Sequence, residues 1–213
     1  MSPRAYRLGV RTAAVADTRA RVVAAARAMF ADGGFHRASL EEIARRADVA
    51  RATVYHQFGS KVGLLGAVVE DFERRARLDR LAGLVETAPP AALVRAVVTA
   101  GCGYWATDPP LARAVLAFAV TDAAAGDMLA GHDAGRLRLL TRLVDRLAEA
   151  GRLPCAPVHA LDTLWLLTSF HAYDELSRGR NLPTAAVAEL LADLAEAQLS
   201  TPLKIPTPNA GSG

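Results

Sequence analysis

The side chains able to do chemistry crowd into RATVYHQFGSK, residues 51–61. That run offers the guanidinium of Arg51, the hydroxyls of Thr53, Tyr55 and Ser60, the imidazole of His56 and the ammonium of Lys61. On a helix Val54 and Phe58 fall about 40° apart and face inward together. Ala52 and His56 then point nearly the opposite way, flanked by Thr53 and Tyr55. Short or ringed groups carrying hydroxyl and imidazole functions suit base edges, thymine methyls and phosphate oxygens in a major groove. Arg51, at the helix start and to one side, suits a phosphate better than a bidentate contact to guanine. Tyr55 either gives its hydroxyl to a phosphate or lays its ring on the local core, and His56 either meets a base edge or is solvated.

Lys61 opens the next helix, where a cation is disfavoured by about 0.3–1 kcal/mol because the macrodipole is positive at that end. A phosphate docked there would reverse the sign, with Ser60 as helix cap or second phosphate ligand. A solvated surface lysine is the other reading.

Two further patterns carry weaker chemistry. His159 with Asp162 and His171 with Asp174 stand at i, i+3. The second pair is turned about 120° around one helix from the first, so they do not converge on a metal. The chain has no nucleophile elbow, no phosphate-cradling glycine loop and no His-Glu-x-x-His. A non-enzyme without metal or cofactor is expected. Cys102 and Cys155 match no redox or metal spacing and are expected as reduced thiols.

Charge is unevenly placed. Residues 1–80 hold 15 Lys or Arg against 9 Asp or Glu, a net of +6. Residues 81–213 hold 10 against 13, a net of −3. Only the first part is thus suited to a polyanion, a solvated arginine-rich face being the plainer explanation. No apolar run is long enough to span a bilayer, and residues 1–16 lack a signal-type apolar core, so no membrane partner and a cytoplasmic location are expected.

An all-α fold must position these groups. Val22, Ala26, Met29 and Phe30 form one stripe of a first helix that Gly33-Gly34 ends. Ser39-Leu-Glu-Glu42 is a capping box in which Ser39 caps the Glu42 N–H and the carboxylate reaches back. It opens a short second helix with Leu40, Ile43, Ala44 and Ala47 inward. Asp48-Val49-Ala50 interrupts the pattern, a third helix runs to about Phe58, and a longer fourth follows Gly59-Ser60 with Leu64, Leu65, Val68, Val69 and Phe72 inward. This is a helix-turn-helix, with the third helix as the reading element. Ala88-Pro89-Pro90 marks a boundary. Further helices are expected at about 91–106, 110–130, 134–150, 157–178 and 184–199.

Taken together, the first helix, Phe35, Ser39 to Ala44, Val49, Thr53-Val-Tyr55, Phe58 and Lys61 closely resemble the N-terminal domain of the tetracycline-repressor (TetR) family, over about residues 17–76. Val62-Gly63 departs from the common pattern, where an acidic residue is frequent, and bears on how the fourth helix begins. The resemblance implies a three-helix DNA-binding domain (residues 17–76, helix-turn-helix about 39–58). A connecting helix would join it to a helical effector-binding and dimerisation domain (77–200). Outside the resemblance, residues 1–16 are expected as a flexible basic arm, and 201–213, with three prolines and two glycines, as a disordered tail. Arg4, Arg7 and Arg11 would either track the DNA backbone from that arm or stay unbound. By motif position Thr53, Tyr55 and His56 would touch DNA while Ser39 and Lys61 hold phosphates, with Arg51 and Ala52 beside them.

The expected function is a ligand-responsive, sequence-specific regulator, a repressor released from a palindromic operator in double-stranded DNA by a small hydrophobic molecule. A ligand-insensitive or architectural DNA-binding protein and a small helical enzyme using His171 and Asp174 are the alternatives. Phe72, Cys102, Trp105, Phe118 and Trp165, with Asp122 and His171 as polar partners, are candidates for the effector pocket. Gly101 and Gly103 would let a ligand approach the helix backbone. Leu140, Val144 and Leu147, following Leu137, and Leu161, Leu164, Thr168 and Ala172 form two stripes that would pair with their copies across a homodimer interface.

Overall fold

In a computed structural model the protein is described over residues 3–31, 35 and 37–200. The expected tail at 201–213 and the Gly33-Gly34 helix end lie outside those residues. The described chain is helical without a strand, and divides into two compact units.

The first unit comprises residues 1–76 and 107–132. It holds α1 (Pro3–Ala31), α2 (Leu40–Arg46), α3 (Arg51–Phe58), α4 (Lys61–Arg75), α7 (Pro109–Thr121) and the start of α8 (Ala123–Glu149). The stripe Val22, Ala26, Met29 and Phe30 is buried, as are Ile43, Val54, Leu64 and Leu65. α1 packs on α2, α4 and α7, and α2 and α4 pack on α3. Phe30 and Phe35 stack at 3.7 Å between centroids, and Phe118 of α7 meets Phe35 edge-on at 5.6 Å. Arg75 reaches Asp108 at 3.3 Å and His132 Nδ1 lies 2.8 Å from Glu73, so α7 and the start of α8 are held to α4.

Three expectations change here. The stretch 3–16 is helix continuous with the rest of α1 instead of an arm. Its Ala- and Arg-rich composition favours helix, and Pro3 sits in the first turn, where a missing N–H costs nothing. The side chains of Arg4, Arg7 and Arg11 lie outside what is described. The break after α7 falls at Asp122, which caps α8 through the Ala125 N–H at 2.9 Å, leaving Gly131 inside that helix. Residues 107–132 also join the first unit, so it does not stop at residue 76.

The second unit, residues 77–106 and 133–213, holds α5 (Leu78–Thr87), α6 (Leu93–Ala106), the rest of α8, α9 (Pro157–Leu167), α10 (Phe170–Asp174), a π-turn over Glu175–Gly179, and α11 (Thr184–Ser200). α6 lies along α11 and touches α5 and α10; α11 also packs on α9. Arg95 of α6 reaches Asp193 at 2.6 Å and Glu196 at 3.2 Å on α11. Arg146 of α8 donates to the carbonyl oxygens of Val85 and Ala88, satisfying the end of α5. The fourth helix does not run on to the Ala88-Pro89 boundary, because Arg77 takes a left-handed φ of +57° and starts α5 afresh. The expected 157–178 helix is split at Ser169, whose hydroxyl caps α10 through the Ala172 N–H.

Candidate nucleic-acid interface

The turn ahead of α3 is built from backbone bonds. Val49 N–H donates to Ala44 O at 3.0 Å and Asp48 N–H to Arg45 O at 3.3 Å, the double closure of a Schellman end. Asp48 takes the left-handed position with φ +52°, which a short polar side chain tolerates best after glycine and asparagine. Arg21 of α1 donates to Ala47 O at 3.2 Å and Asp48 O at 3.3 Å, tying the first helix to the turn. Nothing in the spacing of Arg21 signals this role; it depends on how α1 crosses α2.

At the start of α2, Ser39 Oγ accepts from the Glu42 N–H at 3.1 Å, as the capping box requires. The reciprocal half differs from expectation. Glu42 turns to Arg45 at 2.6 Å and Arg46 at 3.5 Å, and the hydrogen bond to Arg45 holds its carboxyl below the usual range. Two arginines one turn away outcompete a neutral N–H for an exposed carboxylate.

α3 separates its residues by face. Val54 and Phe58 are 0% and 8% exposed, whereas Tyr55 is 44% exposed, Ala52 and His56 face solvent, and Thr53 is half-buried. Arg51 is exposed, 3.4 Å from Glu41 and with its guanidinium 5.2 Å from the centre of the Tyr55 ring. Gly59, at φ +70°, closes α3 by donating to Tyr55 O. Ser60 then caps α4 through the Gly63 N–H at 3.0 Å, so Val62-Gly63 begins α4 firmly. Gly63 is required there: a Cβ would collide with the Phe58 carbonyl oxygen, so the α3–α4 junction closes over a bare Cα.

Lys61 is placed otherwise than a solvated lysine. Its ammonium lies 5.0 Å from the centre of the Phe35 ring and 5.5 Å from that of Phe118. Burial lowers its pKa, with the Asp122 carboxylate opposing the shift.

The other candidate residues divide between the units. In the first, Phe72 and Phe118 are core side chains and Asp122 is a helix cap, so these three have structural work already. In the second, Cys102 is buried and its thiol pushed up to about 11, while Trp105 and Trp165 are half-buried and His171 faces solvent. Part of the expected dimer stripe is buried within one chain. Leu140, Val144, Leu147 and Leu164 are at most 3% exposed, and Leu161, Thr168 and Ala172 are half-buried. A 3-4 repeat marks the inward face of any amphipathic helix, so it cannot tell a monomer core from an interface. Large exposed apolar groups in this unit are Leu137, at the head of that stripe, with Val158, Leu166, Leu190 and Leu194, from α8, α9 and α11. Among the described residues no cluster could hold a metal ion and no helix is long and apolar enough to cross a membrane.

Comparison with known proteins agrees with this geometry. Residues 22–68 match the model for bacterial regulatory proteins of the tetR family. Over 59 residues, 28% of the chain, the sequence is 39% identical to the HTH-type transcriptional regulator UidR of Escherichia coli (strain K12). That match spans only 30% of the relative's own length. Salmonella enterica GusR superposes with a TM-score of 0.64 at 23% identity, over 86% of this chain and 96% of its own. The fatty acid degradation regulator FadR from Bacillus halodurans superposes with a TM-score of 0.66 at 19% identity, over 84% and 94%. At such identities the two solved structures share a fold with this chain.

Proposed function

The chain belongs to the TetR family of bacterial regulatory proteins, and from that premise we propose that it is a sequence-specific DNA-binding repressor released by a small apolar effector. The observation that carries the DNA-binding part is the division of α3, with Val54 and Phe58 sealed and Ala52, Tyr55 and His56 turned out after a capped turn. Thr53, Tyr55 and His56 read the major groove; Arg51 and Ser39 meet phosphates to either side. Lys61 serves as a phosphate contact by swinging off the Phe35 and Phe118 rings.

A palindromic operator calls for a two-fold dimer. The exposed Leu137, Leu166, Leu190 and Leu194 of the second unit supply the apolar surface for it. An effector held in the second unit shifts the population towards an arrangement in which the two reading helices no longer fit successive grooves, and operator and effector then weaken each other's binding by the same factor.

The test is a mobility shift on the DNA upstream of the gene, followed across salt concentration. Wild type is expected to bind with an affinity that falls steeply with salt, and Lys61→Ala to flatten the log–log slope by about one unit. Binding that ignores both salt and the substitutions His56→Ala and Lys61→Ala would overturn the reading.

A further inference from the structure

We propose that Arg136 anchors a site in the second unit for a small molecule with an apolar body and a single carboxylate, which names the effector class of the reading above and rests on it. Arg136 lies on α8 with its guanidinium carbon 3.9 Å from the centre of the Trp165 ring. Its Nη2 donates to the Trp165 carbonyl oxygen. Its Nε is sealed from solvent and meets no acceptor. Stacking on an indole attracts the cation through the ring face and leaves the in-plane N–H groups to find acceptors elsewhere, which Nη2 does and Nε does not. A guanidinium keeps its charge, so a desolvated donor without an acceptor is one that an incoming anion can satisfy. Burial lowers the Arg136 pKa, and the Asp133 carboxylate three residues earlier counters only part of that.

The surroundings suit an apolar body. Trp105 directs its indole N–H to Thr168 O at 2.9 Å, which leaves its ring as a hydrocarbon wall, and Tyr104 stands edge-on to it at 4.7 Å. Gly101 shares their side of α6, at three and four residues' spacing. It is buried, yet a Cβ added there would meet no heavy atom within 4 Å. The Trp105 bond to Thr168 ties α6 to α9 three residues past Trp165, and Tyr104 is near enough to act on the Arg136 charge, so the space beside Gly101, the aromatic walls and a cation short of an acceptor combine into a site of the kind that takes an amphipathic acid. Guanidinium and carboxylate are both planar and pair edge to edge. One guanidinium balances a singly charged head, whereas a phosphate dianion would leave negative charge in excess.

Both tryptophans of the chain, Trp105 and Trp165, stand in this cluster, so intrinsic fluorescence reports on it directly. The full chain is titrated with decanoate and 3-phenylpropanoate, and with their methyl esters as neutral counterparts. At least one acid is expected to bind tenfold or more tightly than its ester. Arg136→Gln should abolish that ratio by weakening the acid and leaving the ester alone. Gly101→Leu, which fills the space, should weaken both and keeps the test informative if Arg136→Gln fails to fold by circular dichroism. Equal binding of acid and ester, no binding of either acid, or a ratio that survives Arg136→Gln overturns the proposal. A mobility shift run in parallel separates the two readings. Acid binding that leaves a protein–DNA complex intact supports the site and sinks effector release; release by an uncharged molecule alone sinks the site and spares the regulator.

Discussion

Val54 and His56 stand two residues apart on α3 and should fail in opposite ways. Val54 is fully buried, and Val54→Ala removes two carbons' worth of apolar burial, about 1.6 kcal/mol. The residual cavity brings the total to about 2–3 kcal/mol, since a short helix pinned by neighbours on both sides collapses only partly. For a chain of this size that is a fall in Tm of about 5–10 °C. His56 is exposed, so His56→Ala should stay within about 0.5 kcal/mol of wild type in stability. Its loss should appear in DNA affinity, at about 1–2 kcal/mol or roughly 5- to 30-fold in Kd. Thermal melting by circular dichroism gives the first quantity and mobility shift at low temperature the second. Val54→Ala, assayed well below its Tm, should bind DNA within about threefold of wild type, because the outward side chains are unchanged. A His56→Ala protein that melts as early as Val54→Ala, or one that keeps full affinity, would refute the division of faces.

Other positions give sharp outcomes. Gly63→Ala drives a Cβ into the Phe58 carbonyl oxygen, which cannot rotate away, and should cost about 1–3 kcal/mol in urea unfolding. Gly66→Ala, three residues on in the same helix with nothing within 4 Å, should instead stabilise by about 0.5–1 kcal/mol. Arg21→Ala removes both hydrogen bonds that Nη1 gives to the turn, at Ala47 O and Asp48 O; as the side chain is half-exposed, a loss of about 1 kcal/mol is expected, again by urea unfolding. Burial raises the Cys102 thiol from an ordinary 9.0 to about 11, so the folded state keeps its proton where the unfolded chain has lost it. Stability should therefore hold up to about pH 9 and fall as pH rises from there towards 11. Iodoacetamide labelling of the Cys102 peptide at pH 8, followed by mass spectrometry, should run about a hundredfold slower in the native protein than in urea.

Local signals were strong around the reading helix. Ser39 could be assigned as a cap, and Ser60 as a cap or a phosphate ligand, because a cap is a bond between a side chain and a backbone group three residues on; the structure has both capping. Val54 and Phe58 could be assigned inward because the 3.6-residue period is written into the order of residues. The third helix, its turn and its exposed groups were legible for the same reason. Helix ends farther on were less so. Gly131 stays helical and Asp122 breaks the chain, since a glycine is only a weak bias and an aspartate's oxygen caps whichever N–H packing brings near.

Placement across the fold followed other rules. Whether Leu140 and Val144 line a core or an interface depends on what lies opposite them, and a periodic stripe is silent on that. Lys61 comes to rest on Phe35 and Phe118, and Arg136 on Trp165, because α7 and α9 arrive there from distant parts of the sequence. The order of residues thus dictated the short-range hydrogen bonds and the inward faces, interactions closed within one or two helical turns. Which ring a cation meets, and whether its donors find an acceptor, was decided by helices converging through space, where long-range packing outweighs local preference.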